Sequence, residues 1–154
     1  MTIEFNTSEL RAVRREARLL LINATGAGYM LVNVGVEKLA GLRDAMSTSN
    51  WILVGLGCFC LAVSVMGGHT LLRVASIYRH LAKSRVIVVG ALAFVCGSTL
   101  GGALAWLRAQ GFQLAMQFEN PTPARVLLFL LLIAAGWLIS TALMPLLLNR
   151  RSLQ

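Results

Sequence analysis

Acidic and histidine side chains are scarce in this chain, and their scarcity excludes most of the familiar catalytic chemistry. The sequence holds six Asp and Glu residues and two His residues among 154. Paired carboxylates, a nucleophile beside a base, a phosphate loop and a metal-ligand spacing cannot be assembled from them. We therefore expect no enzyme activity, no metal ion and no other cofactor.

Cysteine is also rare, and none of the three residues is placed for a disulfide. Cys58 and Cys60 lie in one apolar run and Cys96 lies in another. Residues two apart on a helix point about 200° away from each other, so Cys58 and Cys60 cannot form a normal bridge within a helix. We expect all three thiols to be buried and inert.

Long apolar runs are what the chain has in abundance, since 57% of its residues are hydrophobic and 13% are charged. Four such runs span approximately residues 19–36, 51–72, 86–107 and 126–148. Each is about long enough to cross a hydrocarbon core of ~30 Å as a helix rising ~1.5 Å per residue. The sequence predicts an all-α integral membrane protein with four transmembrane helices, forming one domain over residues 1–154.

Basic residues between the runs predict the orientation of these helices, because the net charge is +8 and Lys and Arg mark the cytoplasmic side of membrane proteins. Both termini are therefore expected on the cytoplasmic side of a bacterial inner membrane. The basic segments would meet anionic lipid rather than nucleic acid. The basic residues assigned to the cytoplasm are Arg11, Arg14, Arg15, Arg18, Arg73, Arg79, Lys83, Arg85, Arg150 and Arg151, against Lys38, Arg43, Arg108 and Arg125 outside.

Two segments outside the runs have an amphipathic character. Asn6 followed by Glu9 resembles a capping box, so a helix should begin there and continue through the basic segment 1–18, near the headgroups, into the first run. Residues 108–125 mix Gln with large apolar side chains before an Asn-Pro-Thr-Pro sequence that ends any helix. This outer segment is the expected contact surface beyond the bilayer.

The first run carries a polar stripe. Asn23, Asn33 and Glu37 fall within an arc of about 80° on a helix, at ~100° per residue. Polar groups in lipid turn toward other helices or a water-filled cavity. The stripe is therefore either a polar pathway or a set of interhelical hydrogen bonds, which is the more usual case. Glu37 adjoins Lys38, and we expect a local ion pair or simple solvation.

Small residues form faces on the second and third runs, and such faces allow two helix backbones to come close. The pattern predicts tight helix–helix contacts but leaves open whether the partner helix belongs to this chain. In contrast, the fourth run is mostly Leu, Ile and Ala and should largely face lipid, which gives an asymmetric bundle. The candidate packing residues are Gly57 and Ser64 in the second run and Ala93, Gly97, Gly101 and Ala105 in the third.

His69 and Arg73 lie four residues apart at the cytoplasmic end of the second run. A lone histidine in this position could titrate or bind a ligand. The more common case is a hydrogen-bonded interfacial residue, and two histidines without acidic neighbours do not make a metal site.

Abundant packing surfaces without reactive groups favour a non-catalytic subunit or accessory protein of a bacterial transport or secretion complex. Its partners would be other membrane proteins or further copies of itself. Two alternatives remain. One is an immunity protein that binds a membrane-targeted toxin. The other is a small oligomeric channel or exporter, with the Asn23 and Asn33 stripe lining a path.

Within the transport class, the chain resembles the small four-span subunit of tripartite TRAP-type carboxylate transporters. The likeness lies in its size, its predicted topology, Gly68-His69 leading into the basic middle segment and Pro145 late in the fourth run. It covers about the last 90 residues. That family typically has an acidic pair before its second span, where this chain reads Ala-Met-Ser-Thr-Ser-Asn.

Overall fold

The computed structural model is all-helical and describes residues 7–40, 48–77, 83–110 and 123–147. The helices are α1 (Thr7–Leu39), α2 (Thr48–Ile77), α3 (Lys83–Ala109) and α4 (Pro123–Leu147). Each is long and apolar enough to cross a membrane. The prediction of an all-α protein with four helices of this length and apolar character is thereby confirmed. The predicted outer contact surface falls largely on residues 111–122, outside the described ranges.

Helix α1 is the centre of the arrangement. It packs along α3 on one side and along α2 on another, whereas α2 and α3 have far less contact with each other. The apolar stretch of α1 is 44% buried inside the protein, compared with 22% for α2 and 17% for α4. Helices α2 and α3 are therefore held together mainly through α1, while α4 contacts both α1 and α3.

The described part of α1 begins at Thr7, and Asn6 of the predicted capping box lies outside the described residues. The first turns of α1 pack against the other helices. Val13 and Ala17 are buried and belong to one core cluster with Leu71 of α2, Val86 of α3 and Leu147 of α4. The cause is the spacing of four residues, which carries the apolar face of the first run back through the basic segment. Its arginines remain exposed on the other sides of the helix.

Helices α1 and α3 come into backbone contact at glycines. A Cβ atom added to Gly97 would overlap the carbonyl of Thr25, and one added to Gly101 would overlap the carbonyl of Tyr29. Gly28 of α1 makes the reciprocal contact with the α3 backbone. Because Thr25 pairs with Gly97 and Tyr29 with Gly101, the two helices run parallel, and only residues without a side chain permit this approach.

The small-residue face predicted for the third run is the face of α3 that packs against α1. Ala93, Gly97, Gly101 and Ala105 are all buried. The partner that the sequence left open is α1 of the same chain. This face of α3 is therefore covered by α1 of the same chain.

Helix α2 packs against another side of α1 and runs antiparallel to it. A Cβ atom added to Gly57 would lie 3.0 Å from the side chain of Leu31. Farther along α2, the Ser64 hydroxyl donates a hydrogen bond to the carbonyl of Leu20 at 3.1 Å. As the numbers rise on α2 they fall on α1, and the candidate packing residues Gly57 and Ser64 both face α1.

Helix α4 is the outermost of the four. Leu143 and Leu147 join the buried cluster near the start of α1, so α4 is antiparallel to α1. Most of its large side chains point away from the protein, as expected for a lipid-facing span. Those exposed by more than half are Leu127, Leu130, Leu131, Ile133, Trp137, Leu138 and Leu146.

The prediction that all three cysteines are buried is wrong. Cys58 is exposed on α2, and Cys60 and Cys96 are partly exposed. The sequence could not separate these cases, because Cys58 and Cys60 lie on opposite sides of one helix and only one side meets α1. All three thiols are free.

Replacing Gly97 by Ala is expected to destabilise the protein. The new methyl group would meet the Thr25 main chain, which cannot move aside as a side-chain end can, and overpacking costs ~1–3 kcal/mol. Gly55→Ala is the matched control, because nothing lies within 4 Å of that Cβ position. Unfolding by SDS in mixed micelles measures the difference, and equal midpoints for the two variants would contradict the α1–α3 contact.

Candidate functional site

Buried polar side chains gather at the end of the bundle where α1 and α3 finish. We call this the distal end, and the opposite end, where α1 and α3 begin, the basic end. Asn33 and Glu37 of α1 and Arg108 of α3 form what we call the distal cluster. These side chains are polar, mostly buried and in contact across two helices, which makes the distal cluster the first candidate for a functional site.

An ion pair lies at the centre of the distal cluster. The Arg108 guanidinium donates from Nη1 to Glu37 Oε1. The Glu37 side chain is 4% exposed and that of Arg108 is 13% exposed. Two opposite charges taken out of water together need each other, because either alone would carry a large desolvation cost.

Asn33 connects this ion pair to the α1–α3 contact. Its Nδ2 donates to the Gly101 carbonyl at 3.1 Å, and its Oδ1 accepts from Arg108 Nη1 at 3.4 Å. The amide thus uses its donor and its acceptor on the same neighbouring helix. This arrangement ties the ion pair to the glycine at which the two backbones meet.

The local sequence explains why these groups converge. Asn33 and Glu37 are one helical turn apart and share a face of α1. On α3, Arg108 follows the small-residue face, three residues after Ala105 and seven after Gly101. Since α1 and α3 are parallel and in register at Gly101, Arg108 reaches the level of Glu37.

The prediction for Glu37 is therefore wrong. Lys38 is exposed, while Glu37 is buried and pairs with Arg108 instead. The pairing follows from the packing of α1 on α3, which points successive residues of α1 in different directions. Arg108 was missed as a site residue, although its position along the small-residue face of the third run was the signal that could have identified it.

Asn23 does not belong to the distal cluster. Its Nδ2 donates to the Leu19 carbonyl of its own helix at 2.8 Å, nearly three turns before Asn33. Of the three residues of the predicted stripe, Asn23 is therefore separate, while Asn33 and Glu37 belong to the distal cluster. The stripe is not a continuous row of groups facing one path.

The candidate interfacial residues lie at the basic end, away from the distal cluster. His69 and Arg73 are both exposed on α2. Within the described helices no three His, Cys, Asp or Glu side chains are grouped to hold a metal ion. His69 lines an apolar groove between α2 and α3, which is treated separately below.

One polar atom at the α1–α3 contact is without a partner. The Ser98 hydroxyl is buried and forms no hydrogen bond within the described part of the chain. It lies 2.9 Å from the position that a Cβ atom on Gly28 would take. This hydroxyl therefore faces α1 where the backbones of α1 and α3 come close together.

Comparison with known protein families, with curated proteins and with solved structures finds no match to this chain. The resemblance to the small TRAP-type subunit therefore stays a prediction from the sequence.

Removing either charge of the distal cluster should destabilise the protein by up to ~3–5 kcal/mol, because the remaining charge is left buried. Arg108→Gln should cost more than Glu37→Gln, since a stranded arginine can extend toward the headgroups whereas a stranded short carboxylate cannot. Stability toward SDS measures both effects.

The double variant completes this cycle. Glu37→Gln with Arg108→Gln should lose clearly less than the sum of the single variants, because the two residues act on each other. Lys38→Gln is the control on an exposed neighbour and should change little. Strictly additive losses would contradict a direct ion pair.

Proposed function

We propose that the protein is a non-catalytic integral membrane subunit or accessory protein that works by assembling with another membrane protein. The observation that carries this proposal is the use of its buried polar groups. In the described helices the buried residues Thr25, Asn33, Glu37, Ser64 and Ser140 each form a bond within the chain, and the Ser98 hydroxyl is the one buried side-chain polar atom without a bond there. Their role is structural, so function falls to the outer surface.

The outer surface is apolar on three different helices. Phe59 of α2, Val95 of α3 and Leu131 of α4 are each more than half exposed. A membrane partner can pack against such faces through van der Waals contact and shape complementarity. These properties suit a subunit of a transport or secretion complex in a bacterial inner membrane.

The channel alternative is less well supported by the geometry. A path lined by Asn23 and Asn33 needs both amides facing one space. Asn33 instead donates to Gly101 of α3 and Asn23 donates to Leu19 of its own helix. Replacing both residues by Leu would abolish flux through a channel, whereas an assembly protein would lose only part of its stability.

The charge distribution supports an orientation with the basic end in the cytoplasm. Seven basic side chains are exposed at this end: Arg11, Arg14, Arg15, Arg18, Arg73, Lys83 and Arg85. At the distal end Arg108 is paired with Glu37, so its charge is balanced locally. The difference in basic charge between the two ends, which orients membrane proteins, is thus larger than the count of Lys and Arg residues alone indicates.

Photocrosslinking tests the assembly proposal. A photoreactive amino acid is placed at Phe59, Val95 or Leu131 in the cells that normally make the protein. A partner should give a discrete protein adduct from at least one of these faces, and the same partner should copurify in mild detergent. Adducts with lipid only, together with purification as a single chain, would contradict the proposal.

Cysteine labelling tests the orientation. In a variant lacking Cys58, Cys60 and Cys96, a membrane-impermeant maleimide should label Lys38→Cys in intact cells. Arg14→Cys should react only after the membrane is opened, because it lies at the opposite end of α1. Both positions are exposed, so a difference in labelling reports the side of the membrane. The reverse labelling pattern would place the termini outside the cell.

A further inference from the structure

An apolar groove runs along the outside of the bundle between α2 and α3. Its volume is about 430 Å³, and Leu20 of α1 lies in its floor. Leu61 and Leu72 of α2 and Val86 and Phe94 of α3 line the two sides. The groove exists because α2 and α3 each pack on α1 and make little contact with each other.

Two glycines widen this groove at the level of Leu20. Cβ atoms added to Gly68 and Gly90 would lie 3.5 Å and 3.4 Å from the Leu20 side chain, with no backbone atom nearer. These glycines differ from Gly97, whose missing side chain allows a close backbone contact. At Gly68 and Gly90 a Cβ atom would instead make an ordinary van der Waals contact with Leu20, so the groove is wider there by the volume of the missing side chains.

The groove ends in positive charge at the basic end. His69 lines the groove and is exposed. Arg73 lies one helical turn beyond His69 on α2, and Lys83 lies one turn before the lining residue Ile87 on α3, so each shares a helix face with a lining residue. Arg73 and Lys83 are both exposed, so the apolar groove ends beside basic side chains of both helices.

We propose that this groove binds one acyl chain of an anionic phospholipid, whose phosphate contacts His69, Arg73 and Lys83. From Leu61 to Leu72 the groove follows α2 for ~16 Å at ~1.5 Å per residue. That length is about half of a ~30 Å hydrocarbon core, which is the depth of one leaflet. The basic end thus meets the headgroups when the chain fills the groove.

The size of the groove argues for a lipid chain over a partner helix. A helix about 10 Å across occupies roughly 1,200 Å³ over the same ~16 Å, so it would insert only side chains into the groove of 430 Å³, whereas an acyl chain can lie in it along its length. The proposal rests on the cytoplasmic orientation of the basic end proposed above, because anionic lipids give that leaflet its negative surface potential. It does not depend on a protein partner.

Native mass spectrometry of the full-length protein in detergent tests the proposal. Palmitoyl-oleoyl phosphatidylglycerol should bind as a single retained lipid, at least about fivefold more tightly than the phosphatidylcholine with the same chains, since each basic contact contributes ~1 kcal/mol. Glycerol phosphate without acyl chains should not compete, which separates a bound lipid from a bound phosphate.

Two variants separate the groove from the basic side chains at its end. Ala91→Leu places a larger side chain in the groove at an exposed lining residue and should weaken binding of both lipids. Its control is Ala103→Leu, on an exposed position of the same helix outside the groove. Lys83→Gln should reduce only the preference for the anionic lipid, and Lys38→Gln at the distal end should leave it unchanged.

Equal binding of the two lipids, or binding unaffected by Ala91→Leu, would overturn the proposal and leave only lipids that surround any membrane protein. A protein segment retained in the groove in place of lipid would overturn it as well. Binding in detergent does not depend on membrane sidedness or on a partner. A failure here is therefore distinguishable from a failure of the proposed orientation or assembly.

Discussion

The backbone contact between α1 and α3 is the interaction on which the rest of the structure depends. Gly97 and Gly101 let α3 approach the Thr25 and Tyr29 carbonyls of α1, and this approach fixes both the spacing and the register of two parallel helices. The register then brings Arg108 to Glu37. A charged pair is tolerated in this setting because each charge meets the other, while Asn33 ties the pair to the same contact.

Once α1 is packed against α3, the positions of the other helices follow. Helix α2 uses another side of α1 through Gly57 and the Ser64 hydrogen bond, and α4 covers its amino-terminal turns. Because α1 lies between them, α2 and α3 stay apart and leave a groove open to the surroundings. The feature that stabilises the bundle therefore also creates the surface on which a lipid can bind.

Much of the fold could be predicted from residue patterns, since apolar length gives the spans and the spacing of four residues gives the small faces of the second and third runs. The partners of these faces could not be predicted, because hydropathy does not specify which helix meets which. Glu37 shows the consequence. Its neighbour in sequence is Lys38, but its partner is Arg108, which lies 71 residues away and is close only once the α1–α3 register is known. The burial of Val13 and Ala17 could not be predicted for a similar reason, since it depends on the ends of three other helices.

The parallel contact of α1 and α3 can be measured directly by solid-state NMR of the intact protein in lipid bilayers. With ¹³C in Thr and Tyr carbonyls and in Gly Cα atoms, cross-peaks should join the Thr25 carbonyl to Gly97 and the Tyr29 carbonyl to Gly101. Those two cross-peaks would establish both the close approach and the register. Their absence, or a cross-peak from Thr25 to Gly101 instead, would contradict the central contact of this structure.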